Sequence, residues 1–369
     1  MLDSRAGFSP TRLALARRRR GLTKTKLASL AGVDVRSISG FETGEYSPGE
    51  ETLSRFVEAL AFPEDFFFGE DLSEPSPDAA SFRALSTMTA SKRDMALGQG
   101  AIALHLERWI SSRFELPQPD LPDLGRDLSP EVASAAIRTH WGLGELPVTH
   151  LVHLLEAKGV RVFSLSVDAD DVDAFSMWHG STPFIFLNMR KSAERSRFDA
   201  AHELGHLLLH RHGPPQGKHL EREADAFASA FLMPRASVLS LAPRFPVLSH
   251  LVQLKKRWGV SVGALAYRLH VLEVLSDWHY RSLCVEMSQK GFRKREPEEG
   301  ARESSQLLSK VFALLRKRGV GRQQVAAELH ILPRELDELV FGLTTTAVPS
   351  DSLVAQPKTT PSGVLRRVK

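Results

Sequence analysis

The sequence predicts a mainly α-helical chain with one small β-sheet, an α+β fold. Three observations point there. Apolar residues recur at three- and four-residue spacing through residues 10–60 and again beyond residue 90. The period changes between 159 and 189, where "GVRVFSL", "AFSMWHG" and "PFIFLNM" read as short strands. A helical pattern then returns in "RSRFDAAHELGHLLLH". At 369 residues the chain is long enough for two or three domains.

An apolar fraction of 42% and a charged fraction of 25% are ordinary for a globular protein. The net charge of +4 is mildly basic and compatible with nucleic-acid contact. Cys284 is the only cysteine, which excludes an intramolecular disulfide framework and any cysteine-based zinc knuckle. The opening "MLDSRAGFSPTRLALARRRR" lacks an apolar core followed by a cleavage site, and no apolar run is long enough for a bilayer span. A cytoplasmic protein without a membrane partner is the expectation.

Residues 8–69 read as a compact all-α block. Helices are expected over 10–20, 24–31 and 34–43, with Thr23 and Asp34 at N-caps and Gly32-Val33 as a turn. Leu53, Phe56, Val57 and Leu60 give the buried face of a fourth helix. Residues 70–130 read as linker and helical connector: "EDLSEPSPDAASF" at 70–82 is linker-like, 90–114 is helical, and 115–130 is a Pro-rich break. Residues 131–295 form the main domain, with helices near 131–140 and 148–158, then the strands. Turns at 168–171 and 180–183 suggest a small antiparallel sheet. Helices at 191–210 and 220–232 follow, with more to about 290. Residues 296–343 read as a further helical unit, and the polar tail 344–369 as disordered.

The sequence His202-Glu203-Leu204-Gly205-His206 carries the chemistry. Histidines four apart share a helical face, so both imidazoles can reach one metal ion, and the intervening glutamate can act on a water at that ion. This is the core of a zinc peptidase, with Zn²⁺ as the expected cofactor and Mn²⁺ as the substitute. Three completions of the ligand set are on offer. His210 lies eight residues from His202, about 12 Å of helical rise, too far for both to join His206 on one ion. His212 stands where another zinc-peptidase pattern puts its third histidine, but that pattern needs a glycine where Leu209 stands. The acids of "LEREADAFASAFLMP" remain. Glu221 and Asp225 share a face, so Glu221 is the preferred ligand and Asp225 the partner that orients a ligand histidine. Glu223 is the fallback. Glu203 is then the catalytic residue, taking a proton from water and passing it to the leaving amine. Backbone groups near Leu187-Asn188 could pair with an extended peptide.

These motifs resemble the ImmA/IrrE family of bacterial zinc metallopeptidases. The likeness rests on the Arg195-x-Arg197-Phe198 lead-in, the H-E-L-G-H core, the E-x-x-A-D-x-F-A run with Asp225 where Asn is frequent, and Leu232-Met233-Pro234. "KKRWGVSVGALAYRLHVL" at 255–272 is similar to that family's later helices. The resemblance covers about residues 130–295. It implies a zincin-like domain and a selective intracellular endopeptidase acting on a repressor or similar regulator, in transcription regulation or a stress response. By the family pattern His202, His206 and Glu221 are ligands and Glu203 is catalytic.

The N-terminal block resembles the XRE (phage-repressor-like) helix-turn-helix in "GLTKTKLASLAGVDVRSISGFETGEYSPGEETLSRFVEAL". The resemblance implies a DNA operator as partner and a recognition helix over 34–41. Arg36, Ser37 and Gly40 lie on its outer side, while Val33, Ile38 and Phe41 face inward. Lys24 stands where many members have a Gln, and suits a phosphate better than a base. The arginines at 17–20 read as a solvated helix end or a phosphate contact. "VGRQQVAAELHILPRELDELVFGL" has the outline of a second helix-turn-helix but little basic charge on its last helix. Two other readings stay open: a non-proteolytic transcription regulator whose peptidase fold is a sensor, and an antitoxin. A homodimer is a candidate assembly.

Overall fold

The computed structural model describes residues 7–75, 80–82, 89–125, 128–165, 174–211 and 217–341, with backbone alone at 80–82. The turn expected at 168–171, the alternative ligand His212 and the tail 344–369 lie outside these residues.

Four helices build the N-terminal block: α1 (Pro10–Arg19), α2 (Lys24–Ala31), α3 (Val35–Thr43) and α4 (Glu50–Leu60). Ser9, Thr23 and Asp34 cap the first three, each accepting from a backbone N–H in the first turn, which satisfies donors the helix cannot. Gly32 ends α2 with φ +63°, a left-handed turn that glycine adopts without strain. Leu13, Ala16, Leu27, Ile38 and Phe56 are fully buried between the helices. Each large apolar side chain so buried contributes roughly 1.5–3 kcal/mol.

The centre is a mixed sheet. β1 (Ala80–Phe82) comes first, followed by α5 (Ala90–Ser111), α6 (Pro130–His140), α7 (Leu151–Ala157), β2 (Arg161–Leu165), β3 (Ala174–His179) and β4 (Thr182–Asn188). The strand order is β1-β3-β4-β2. β3 runs antiparallel to β1 and β4, whereas β2 runs parallel to β4. The fold is α+β as expected, but two readings are corrected. The sheet is not a plain antiparallel one, because β2 pairs with β4 rather than with β3, its neighbour in sequence. The linker reading of 70–82 also missed β1, whose three residues are too few to show a period.

The same topology corrects the suggestion that Leu187 and Asn188 offer free backbone to a peptide. β4 is an inner strand, with Leu187 opposite Ala174 and Ser164, and Asn188 opposite Leu165. Its continuous apolar run is what a strand buried on both faces needs.

Helices cover both faces of the sheet. Phe163, Phe175, Phe184 and Phe186 pack in one core with α5 and the N-terminal block. Ala174, Ile185 and Leu187 pack in a second core with α8 (Ala193–Leu209) and α9 (Lys218–Leu232). Gly205 lets α9 approach α8 closely. A Cβ there would lie 3.0 Å from the Phe227 ring and 3.3 Å from Ala224 Cα.

The second core is extended by α10 (Arg235–Leu241), α11 (Leu248–Leu254), α12 (Val262–Val271) and α13 (Asp277–Gln289). The chain then returns to the first core with α14 (Gln306–Lys317), α15 (Arg322–Glu328) and α16 (Pro333–Leu339). Glu156 accepts hydrogen bonds from Gln306 N and Leu307 N, both at 2.9 Å, and so caps α14. Ser164 Oγ donates to Glu338 O at 2.7 Å and accepts from Phe341 N at 2.9 Å, joining α16 to β2.

Arg17, Arg19 and Arg20 are largely buried in ion pairs, which corrects their reading as a solvated helix end, whereas Arg18 pairs at the surface with its side chain 34% exposed. Arg17 pairs with Glu42 at 2.5 Å and Arg18 with Glu74 at 2.6 Å. Arg19 reaches Glu335 at 3.1 Å and Glu338 at 2.7 Å, and Arg20 also pairs with Glu335. Glu335 is buried, so α1 is clamped to α16 through charges that have left water together.

Candidate metal centre

α8 starts at Ser192, whose Oγ accepts from Arg195 N at 3.2 Å. Arg197 anchors the helix from the other side. Its Nε donates to Trp258 O at 3.1 Å, and its terminal nitrogens bond Glu303 and Val148 O. On this fixed helix His202 and His206 project from one face, with Nε2 atoms 3.0 Å apart. α9 brings Glu221 opposite them, with Oε2 3.3 Å from His202 Nε2 and Oε1 3.4 Å from His206 Nε2. These three residues are the group of metal-ligating side chains found among the described residues, with one donor atom each within 4.8 Å of the others.

The second nitrogen of each ring is also held. His202 Nδ1 lies 2.9 Å from Asp225 Oδ1. His206 Nδ1 lies 2.9 Å from His210 Nδ1, and His210 Nε2 lies 3.0 Å from Glu223 Oε2. If the Nε2 lone pairs face an ion, His206 Nδ1–H donates to His210 Nδ1. His210 Nε2–H then donates to the Glu223 carboxylate. Every group in that chain has a partner of the right kind. His210 and Glu223 are the alternatives that the sequence offers to Glu221. The structure sets them one step back, holding a ring of the triad.

Glu203 is fully buried. Its Oε2 accepts from Ser176 Oγ on β3 at 2.6 Å, and its Oε1 makes no hydrogen bond among the described residues. Burial pushes its pKa up to about 8, against the opposing effects of His202 and the Ser176 hydrogen bond. Burial also lowers His206, to about 4. At His202 and Glu221 burial is the largest single influence but is outweighed. Asp225, Glu221 and Glu203 together raise His202 to about 9, and the two histidines bring Glu221 down to about 2. A cation among these groups would favour the carboxylates in their charged form and the imidazoles in their neutral one.

Sequence reasoning missed Ser176. Alternation along β3 puts a small polar residue on the face toward α8, but nothing local tells it from any other strand serine.

The residues fit a metal. Two imidazole nitrogens 3.0 Å apart face a carboxylate whose Oε2 is buried without a hydrogen bond among the described residues. Two histidines and one glutamate are a donor set that zinc takes in catalytic sites.

In the N-terminal block Arg36 is exposed and Ser37 half-buried on α3. Gly40 is corrected: it is buried under Tyr46, whose ring a Cβ would meet at 2.4 Å, so it presents no surface to a base. Lys24 lies 3.4 Å from Glu42 and donates to Ser39 Oγ at 3.3 Å, which directs its charge inward.

Two comparisons with known families agree with this arrangement. Residues 155–270 match the model of the M78 peptidases, described as an IrrE N-terminal-like domain. Residues 11–65 match a model described as a helix-turn-helix domain. No curated protein matches the chain.

Proposed function

We propose that this chain, which has the ImmA/IrrE arrangement of a peptidase domain behind an N-terminal helix-turn-helix, is a zinc-dependent endopeptidase. It regulates transcription by cutting a repressor or similar regulator protein. The observation that carries the reading is the convergence of His202 Nε2, His206 Nε2 and the Glu221 carboxylate beside Glu203. His202, His206 and Glu221 would hold the ion, with Mn²⁺ as the substitute for Zn²⁺. The bound ion supplies a Lewis acid and a water of lowered pKa. Asp225 and His210 fix the two rings in the ligating tautomer. Glu203 takes a proton from the attacking water and delivers it to the leaving amine, while Ser176 holds its other oxygen in place. Arg36 and Ser37 are the candidate operator contacts, with Lys24 supporting α3 through Glu42 and Ser39.

A second reading, a sensor without turnover, draws on two features. His202 and Glu203 have no solvent-exposed surface. β1 also takes the edge beside β3, the strand that carries Ser176. An extended substrate pairing with β3 must displace it.

One experiment separates the two. The zinc-loaded chain and Glu203→Gln are compared for metal content and for cleavage of co-expressed regulator proteins. The peptidase reading expects equal metal, about one ion per chain, with cleavage by the native chain alone. Metal-free protein after reconstitution, or cleavage by both chains, refutes it.

A further inference from the structure

A cavity of about 720 Å³ lies at the amino-terminal end of α8, within the range of ligand sites, roughly 300–1,000 Å³. It adjoins the metal centre without being part of it. Asp199, in its wall, stands one helical turn before Glu203 on the same face of α8.

The lining has two characters. Phe198, Tyr280, Met287 and Phe292 give an apolar floor, and Arg190, Lys191, Arg195, Arg293 and Lys294 give a basic wall. Two acids, Asp199 and Glu296, also line it, and Arg190, Lys191, Arg195 and Asp199 already interact with other groups. Glu296 is committed elsewhere, to Lys255 at 3.2 Å and Val262 N at 2.8 Å. Arg293 and Lys294 are exposed and make no ion pair among the described residues. The α8 macrodipole adds positive potential from the same side. A small inorganic anion would satisfy the basic wall and leave the floor and most of the volume unfilled. A short peptide with apolar and acidic side chains matches both.

We propose that this cavity is a docking subsite for the polypeptide to be cut, and that it selects an acidic stretch with an apolar anchor. The proposal rests on the peptidase reading above and names the substrate feature that this chain recognises. The apolar side chain lies on the Phe198–Met287 floor, and neighbouring carboxylates meet Arg293 and Lys294.

Cys284 supplies the test, because the chain's only cysteine lines this same cavity. Its rate of alkylation by N-ethylmaleimide is followed in the full-length zinc-loaded chain with the peptide acetyl-Glu-Asp-Leu-Phe-Glu-Asp-amide. Alkylation is expected to slow as peptide is added, and salt is expected to relieve the protection. The Arg293→Glu/Lys294→Glu double variant is expected to need about tenfold more peptide, equivalent to about 1.4 kcal/mol. A thermal unfolding midpoint equal to that of the native chain shows that the variant is folded, and protection is read against each chain's own peptide-free rate, because reversed charges near the thiol change that rate by themselves. If that variant does not fold, the salt series on the native chain decides. Four results overturn the proposal: no protection; equal protection by the peptide with Lys in place of each acid; equal protection by inorganic phosphate, which marks a small-anion site; or protection that neither charge reversal nor salt alters. Labelling needs no cleavage. Protection in a chain that cuts nothing therefore counts against the peptidase reading, and cutting without protection counts against the docking site.

Discussion

Replacing His210 with alanine removes the hydrogen-bond partner of His206 Nδ1. His210 is largely buried, its side chain 7% exposed, and His206 is 3% exposed, so water cannot readily take its place. The tautomer that ligates through Nε2 carries its proton on Nδ1, and in the variant that N–H is buried without an acceptor. An unsatisfied buried donor costs about 1–3 kcal/mol. The cost falls on the metal-bound form, and zinc affinity is expected to drop by about 10- to 100-fold, the usual effect of removing such a partner. Glu223 acts on His206 through His210, so Glu223→Gln alone weakens binding by a smaller factor. In the double variant it adds nothing to His210→Ala, a non-additivity that a double-mutant cycle resolves. Chelator competition at fixed pH measures all four proteins. Unchanged zinc affinity in His210→Ala, or a Glu223→Gln effect that persists in full without His210, refutes the chain of tautomers.

Glu335→Ala leaves Arg19 and Arg20 without their shared buried carboxylate. About 3–5 kcal/mol of stability is expected to be lost, and denaturant unfolding that matches the native chain would contradict the clamp. Glu156 gives a pH signature. Burial raises its pKa to about 7, against the Ser305 and backbone hydrogen bonds. Its folded value thus lies above the unfolded one, and its contribution is present below about pH 4.5 and lost as pH rises through 7. Glu156→Gln should gain stability relative to the native chain between pH 5 and 8, by up to about 3 kcal/mol, and a pH-independent difference would contradict this. Arg36→Ala should weaken binding to a specific operator by about 1–3 kcal/mol if Arg36 reads a base, and an unchanged gel shift would make the N-terminal block a protein-contact module.

What the sequence showed and what it hid divide along physical lines. The spacing of His202 and His206 is a property of one helix, and so is the shared face of Glu221 and Asp225. Helical period alone places them. Helical rise sets His210 too far along α8 to share one ion with His202 and His206. Its role as partner of His206 depends on a ring orientation that no spacing encodes. The strands were legible as strands, but not their order. Which neighbour β2 takes is decided by burying Phe163 and Val162 on opposite faces of one sheet, a choice made across the whole chain. The arginines at 17–20 are the sharpest case. The acidic partner of Arg19 and Arg20 on α16 lies more than 300 residues away, and those of Arg17 and Arg18 lie 25 and 56 residues away, so locally all four could only read as a charged helix end. Gly40 failed for a related reason, because Tyr46 folds back over α3 and covers it.

Whether Glu203 makes this chain cut a protein decides between a peptidase and a sensor. The most direct measurement compares new protein N-termini, proteome-wide, in cells producing the native chain and cells producing Glu203→Gln at equal level and equal metal content. The account predicts that a small set of termini, arising within a transcriptional repressor or similar regulator, appears with the native chain and is absent with Glu203→Gln. Identical sets of termini in the two cell populations would contradict it.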